Sequence, residues 1–232
     1  MKDAGKLFDE YAEAYEQALT NAIAVSGEGR EYFAEGRVTW LARCLQETGE
    51  TPRTVLDFGC GDGATTPLLL AALQAESAVG IDVSAKSLEI ARTHYATAKI
   101  RYEAIGEFQQ PGQLDLAYCN GVFHHIPPAQ RAEALAIVNG ALRVGGLFSF
   151  WENSPWSLAT RYVMSRCAFD RDAITLTPPE ARSLLRAGGF EILRTDFRFI
   201  FPRALRALRK IEDFVYRVPL GSQYQILCCK MQ

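Results

Sequence analysis

The sequence predicts an α/β domain built on a doubly wound, mostly parallel sheet. Three observations carry that prediction. The stretch VLDFGCGDG at 55–63 puts the apolar, β-prone Val55, Leu56 and Phe58 before glycines at 59, 61 and 63, and an apolar helical segment follows from Ala64 to Leu73. A second short apolar run, Val79 to Val83, ends in the carboxylate Asp82, placed 23 residues past Gly59. Strand-like and helix-like stretches then alternate to residue 152, the pattern of a parallel sheet with helices on both faces.

In chain order, residues 3–20 place Leu7, Phe8, Tyr11, Ala14, Tyr15 and Leu19 at helical spacing, and residues 29–48 do the same with Phe33, Val38, Leu41 and Leu45. Pro52 is read as the break before the first strand, 53–58. The expected order from there is helix 64–76, strand 78–82, helix 84–98, strand 100–105, strand 114–120, helix 128–141 and strand 146–152. Thr177-Pro178-Pro179-Glu180 reads as a capping box with proline in the first turn, and Gly188-Gly189 as the end of that helix. Alternating residues at 190–201 and 223–230 predict two more strands.

Composition narrows the class. A chain of 232 residues is long enough for one domain with a sizeable core. A formal net charge of −2 offers no global attraction for nucleic acid or an anionic membrane, and no nucleic-acid partner is expected. The six cysteines show no CxxC spacing, several lie inside apolar runs, and a reducing cytoplasmic setting is expected. No apolar run approaches the ~18 residues of a spanning helix, and the amino terminus is too acidic for a signal or transit peptide.

The chemistry begins at the glycine turn. Gly59, Gly61 and Ala64 satisfy the pattern of dinucleotide-binding turns, and Asp82 stands where an acidic residue accepts hydrogen bonds from a ribose diol. The first half is therefore expected to bind a nucleoside-containing cofactor. Asp57 and Asp62, beside and within the turn, argue against a pyrophosphate and for a ligand carrying cationic groups. Arg37, on the helix feeding the first strand, either pairs with a cofactor carboxylate or is a surface arginine.

On Asp57 to Gly63, on Asp82 within GIDVS, on DLAYCNGVFHHI at 115–126 and on LRVGGLFSFWEN at 142–153, the chain resembles the class I S-adenosylmethionine-dependent methyltransferases. The resemblance implies a Rossmann-like, seven-stranded, mostly parallel sheet whose last strand is antiparallel. It implies a single domain over 1–232, with a helical lid at 1–50, a cofactor-binding core at 51–153, and substrate-side rim insertions at 154–176 and 202–219. S-adenosyl-L-methionine is the implied cofactor, with Tyr15, Arg37, Asp57, Gly59, Cys60, Gly61, Asp82, Val83 and Asn120 as its candidate contacts. Tyr15 belongs to an FDxxAxxY form that relatives carry in a lid; the alternative is that these aromatics only dock the helix. Glu152, Asn153, Trp156 and Arg161 form the expected acceptor wall. His124 and His125 are the candidate catalytic residues, either taking a proton from the acceptor or shaping the loop by hydrogen bonds, with loop shaping favoured. No spacing suggests a metal site.

The implied reaction is methyl transfer to a small-molecule or lipid-like acceptor. A nicotinamide-dependent oxidoreductase and a non-catalytic cofactor-binding scaffold stand as alternatives. Residues 203–217 read as one basic amphipathic helix carrying Leu205, Leu208, Ile211 and Val215 on one side. Burial of that stripe on its own domain is expected over contact with a membrane surface. The sequence does not indicate an oligomeric state.

Overall fold

The computed structural model describes residues 23–109, 111–167, 170 and 173–232. The expected helix 3–20, and Tyr15 with it, lie outside the described residues. The elements are α1 (Arg30–Thr48), β1 (Thr54–Phe58), α2 (Thr65–Leu73), β2 (Ser77–Asp82), α3 (Ala85–Tyr95), β3 (Ile100–Ala104), β4 (Leu114–Asn120), α4 (Arg131–Ala141), β5 (Leu142–Asn153), α5 (Leu158–Arg166), α6 (Pro178–Ala187), β6 (Phe190–Arg198), α7 (Arg209–Val215) and β7 (Gln223–Lys230). They form one seven-stranded sheet in the order β3-β2-β1-β4-β5-β7-β6, parallel except for β7, which runs antiparallel between β5 and β6. The expected sheet and its antiparallel last strand are what the chain forms.

Both sheet faces are covered, so the central strands are apolar on both sides. β5 shows the two-residue period directly: Phe148 and Phe150 enter the cluster packed by Leu135 and Val138 of α4 and Leu185 of α6. Leu147 and Trp151 enter the opposite cluster, with Leu41 of α1, Leu69 of α2 and Leu88 of α3. Each such fully buried side chain contributes roughly 1.5–3 kcal/mol relative to exposure. Strand order reverses between β1 and β4, whose ends Phe58 and Cys119 are register partners. That reversal opens a crevice at the carboxyl ends of the strands.

The helix expected at 29–48 forms as α1, and Gly49, not Pro52, is what ends it: Gly49 takes φ 73° and its N–H closes onto the carbonyls of Gln46 and Leu45. The capping box at α6 forms as read, with Thr177 accepting from the Glu180 N–H and the Glu180 carboxylate accepting from the Thr177 N–H.

The larger departure is at 203–217. The stretch is not one helix: Leu205 leaves helical geometry at φ −108°, ψ 22°, a 3-10 segment covers Arg203–Leu208, and only Arg209–Val215 is α-helical. The expected burial of its apolar stripe does not occur. Leu205, Leu208 and Ile211 are exposed and the neighbouring Phe214 is 85 % exposed, while Glu212 is the buried side chain. Its carboxylate accepts from the backbone N–H groups of Phe199, Ile200 and Phe201. Phe199 sits at φ 63°, a left-handed conformation costing about 1–3 kcal/mol in a bulky residue. Those bonds, and ring contacts with Tyr32, Phe33 and Trp151, hold it there. A polar anchor for a strained backbone has outweighed the apolar period of this segment.

Candidate functional site

The turn after β1 is fixed from three sides. The N–H groups of Gly59 and Cys60 donate to the Ile81 carbonyl at 2.8 and 3.1 Å, which ties the turn to β2. Gly59, Gly61 and Gly63 all have positive φ, yet they are glycines for different reasons. A Cβ at Gly59 would lie 2.3 Å from Val122 Cγ2, and one at Gly63 would lie 2.7 Å from Ala91 Cβ. A Cβ at Gly61 would meet nothing within 4 Å. Two of the glycines are thus demanded by protein packing, and the third faces open space on the carboxyl side of the sheet.

Asp82, at the end of β2, faces the same turn. Its Oδ2 accepts from the Gly61 N–H at 2.9 Å and its Oδ1 from the Ser84 N–H at 2.9 Å, so it braces the turn and remains half-buried beside the open space. Val83 follows it, also half-buried, and Cys60 is buried with its thiol pushed well up by burial. Asp62 is tied to Arg30 of α1 at 2.5 Å. Asp57 lies deeper, where it accepts from the Thr66 hydroxyl at 2.7 Å. Burial raises its carboxyl to about 7, with Asp82 and Asp62 adding to the rise and the Thr66 bond and Arg37 opposing it.

Arg37 is buried, so it is not a surface arginine. Its Nε donates to the Tyr118 hydroxyl at 3.1 Å and its Nη1 to Gln223 Oε1 at 3.0 Å, and Gln223 Nε2 donates to Asn153 Oδ1 at 3.1 Å. One hydrogen-bonded chain therefore links α1, β4, β7 and the end of β5, joining Arg37 to Asn153. Asn120 ends β4 half-buried, and the N–H of the next residue, Gly121, donates to the Trp151 carbonyl.

The loop after β4 carries the two histidines. His124 is 3 % exposed; its Nδ1 is 2.6 Å from Glu152 Oε2, while the Phe123 N–H donates to Glu152 Oε1 at 2.8 Å. Glu152, expected in an acceptor wall, is 1 % exposed and grips this loop from behind. Both His124 Nε2 and His125 Nε2 lie 3.5 Å from Asp170 Oδ1. Burial opposes charge on His124, but the Glu152 and Asp170 carboxylates outweigh it and push the imidazole up to about 10. His125 goes the other way, down to about 4, through burial and the charge on His124. Arg131 donates to the carbonyls of Phe123, Ile126 and Ile174, which fastens the loop to the segment around Ile174. Trp156 stacks on Phe197 at 6.3 Å, and Arg161 is exposed on α5.

The fold thus gathers the expected residues into three groups: Gly59, Cys60, Gly61, Asp82 and Val83 at the turn, Arg37 with Asn153, and His124 and His125 with Glu152. Asp170, Thr66, Tyr118 and Gln223 were not identified from sequence. Thr66, three residues past Gly63, had a usable signal, since a hydroxyl in the first turn of a helix sits near the strand before it. Asp170 had none, because its partners lie about 45 residues away in the chain.

Residues 56–148 match the family described as a methyltransferase domain. Among curated proteins, the chain is 35% identical over 109 residues to the ubiquinone biosynthesis O-methyltransferase of Bordetella pertussis, covering 43% of each chain. It is 33% identical over 76 residues to the trans-aconitate 2-methyltransferase of Rhodopseudomonas palustris, covering 33% of this chain and 30% of that one. The chain thus spans less than half the length of these curated relatives. A solved S-adenosylmethionine-dependent methyltransferase from Thermotoga maritima shares the fold, with a TM-score of 0.66 at 17% identity over 97% of this chain and 99% of that one.

Proposed function

Because the chain belongs to the class I S-adenosylmethionine-dependent methyltransferase family, we propose that it transfers the methyl group of S-adenosyl-L-methionine to a small-molecule acceptor by in-line displacement. The observation that carries this reading is the open space at Gly61, walled by a left-handed turn and by the Asp82 carboxylate. A ribose diol beside that carboxylate would find an acceptor already oriented by two backbone N–H groups. Arg37 is held rigid by Tyr118 and Gln223, which suits it to pair with an amino-acid carboxylate. When bound, the cofactor supplies an activated methyl group whose leaving group departs as a neutral thioether. The work left to this chain is to orient the acceptor and exclude water.

The insertions 154–176 and 202–219 supply the acceptor side in this reading, and with 1–50 and the core 51–153 they make one domain. Both insertions leave the sheet on one rim, since Asn153, Gln223 and Arg198 are register partners there. Trp156, Leu158 and Tyr162 on one, and Leu205, Leu208 and Phe214 on the other, give this rim exposed apolar surface. That character favours an apolar, lipid-like or aromatic acceptor. Among the described residues no helix is long and apolar enough to cross a membrane, and a cytoplasmic setting is part of this reading. Calorimetry tests the reading: S-adenosylmethionine and S-adenosylhomocysteine should release heat on binding and nicotinamide dinucleotides should not. Binding of a nicotinamide dinucleotide in their place would overturn it.

A further inference from the structure

Two imidazoles and a carboxylate meet at the loop after β4, although they come from separate parts of the chain. His124 Nε2 and His125 Nε2 each lie 3.5 Å from Asp170 Oδ1, and each of the three residues offers a ligand atom within 4.8 Å of those of the other two. A tetrahedral cation with bonds of about 2.0–2.1 Å keeps its ligand atoms about 3.3 Å apart, so two of the three separations already match such a shell. We propose that His124, His125 and Asp170 form a binding site for a divalent transition-metal cation of the zinc type, with at least one position left open.

Two further features favour a cation over a simple hydrogen-bonded cluster. Glu152, buried behind His124, takes its Nδ1 at 2.6 Å, which leaves Nε2 directed at Asp170, where a bound cation would displace the ring's second proton to solvent. A carboxylate behind a ligating imidazole, fixing its tautomer and raising its basicity, is the usual outer shell of a histidine metal site. The third ligand is also held in position. The Asp170 N–H donates to the Cys167 carbonyl, Ala173 N–H donates back to Asp170, and Ile174 N–H donates to the His124 carbonyl at 2.8 Å. Two nitrogens and one carboxylate oxygen suit zinc and its borderline neighbours and suit magnesium or calcium poorly. The cation's role rests on the methyl-transfer reading: at the open position it would hold an acceptor oxygen and lower the pKa of its hydroxyl. The proton would leave to solvent, and the new O–C bond would form as the C–S bond breaks.

The test uses the full chain after chelator treatment, titrated with Co2+ for its visible spectrum and with Zn2+ in competition with a chromophoric chelator. One equivalent should bind, with the intense absorption of a four- or five-coordinate cobalt site. Asp170→Asn and His125→Gln should each weaken binding by at least about tenfold. A cobalt spectrum that stays that of the aqueous ion, or wild-type zinc affinity in either folded variant, overturns the site. If Asp170→Asn fails to fold, His125→Gln decides. Cofactor calorimetry on the same samples separates the outcomes, because absence of metal leaves S-adenosylmethionine heats intact and failure of the methyl-transfer reading removes those heats while metal still binds.

Discussion

Replacing Asp57 with asparagine should stabilise the fold above neutral pH and change little in acid. Asp57 is fully buried at the end of β1, with one hydroxyl donor from Thr66 and the carboxylates of Asp82 and Asp62 nearby. Burial, chiefly, moves its carboxyl from 3.8 to about 7. In the window between those values the folded chain holds a proton that the unfolded chain has released. Stability is therefore complete below about pH 4, falls as pH rises to about 7, and is flat above. At about 1.4 kcal/mol per tenfold change in proton affinity, the loss is about 4 kcal/mol. Asparagine has no proton to lose and can still accept from Thr66, so its stability should not follow that slope. Urea denaturation of both proteins from about pH 4.5 to about pH 8.5 reads the difference directly. The curves should coincide within about 1 kcal/mol in acid and separate by several kcal/mol above neutrality, with the variant more stable. Parallel pH profiles would show that Asp57 is charged throughout and that its burial has been compensated by another route.

The glycine turn allows a paired test. Gly59→Ala should destabilise the fold by several kcal/mol, because its Cβ would overlap Val122, as thermal unfolding would show. Gly61→Val should instead cost the fold only about 1–3 kcal/mol of backbone strain, yet abolish S-adenosylmethionine binding by calorimetry; unchanged affinity in the folded variant would remove the turn from the site. Asp82→Ala should weaken cofactor affinity by roughly 1.5 to 3 kcal/mol, and a change near zero would refute its ribose role. Thr177→Ala should lower stability by about 0.5–2 kcal/mol through loss of the capping box, measured by denaturant midpoint, with cofactor affinity unaltered.

What the sequence determined by itself was set by short-range physics. Val55 to Phe58 must be a buried strand because apolar β-prone residues run on both faces, and the glycines that follow must be a turn because only they take positive φ at alternate positions. Thr177 to Glu180 caps a helix through bonds spanning three residues. Each of these reads locally because its partners are neighbours in the chain. Tertiary structure decided the rest. Gly59 and Gly61 look alike in the sequence, and only the approach of Val122 to one of them separates packing from open space. Arg37 could lie on the surface or be buried until β4 and β7 brought Tyr118 and Gln223 to it. The apolar stripe at 203–217 promised burial, but Glu212 was drawn inward instead by three backbone N–H groups whose exposure no periodicity records. Asp170 reached the two histidines because Arg131 and His124 both bond the backbone of Ile174. Contacts between residues far apart in the chain depend on where whole elements pack, and side-chain pattern along one element carries no information about that distance.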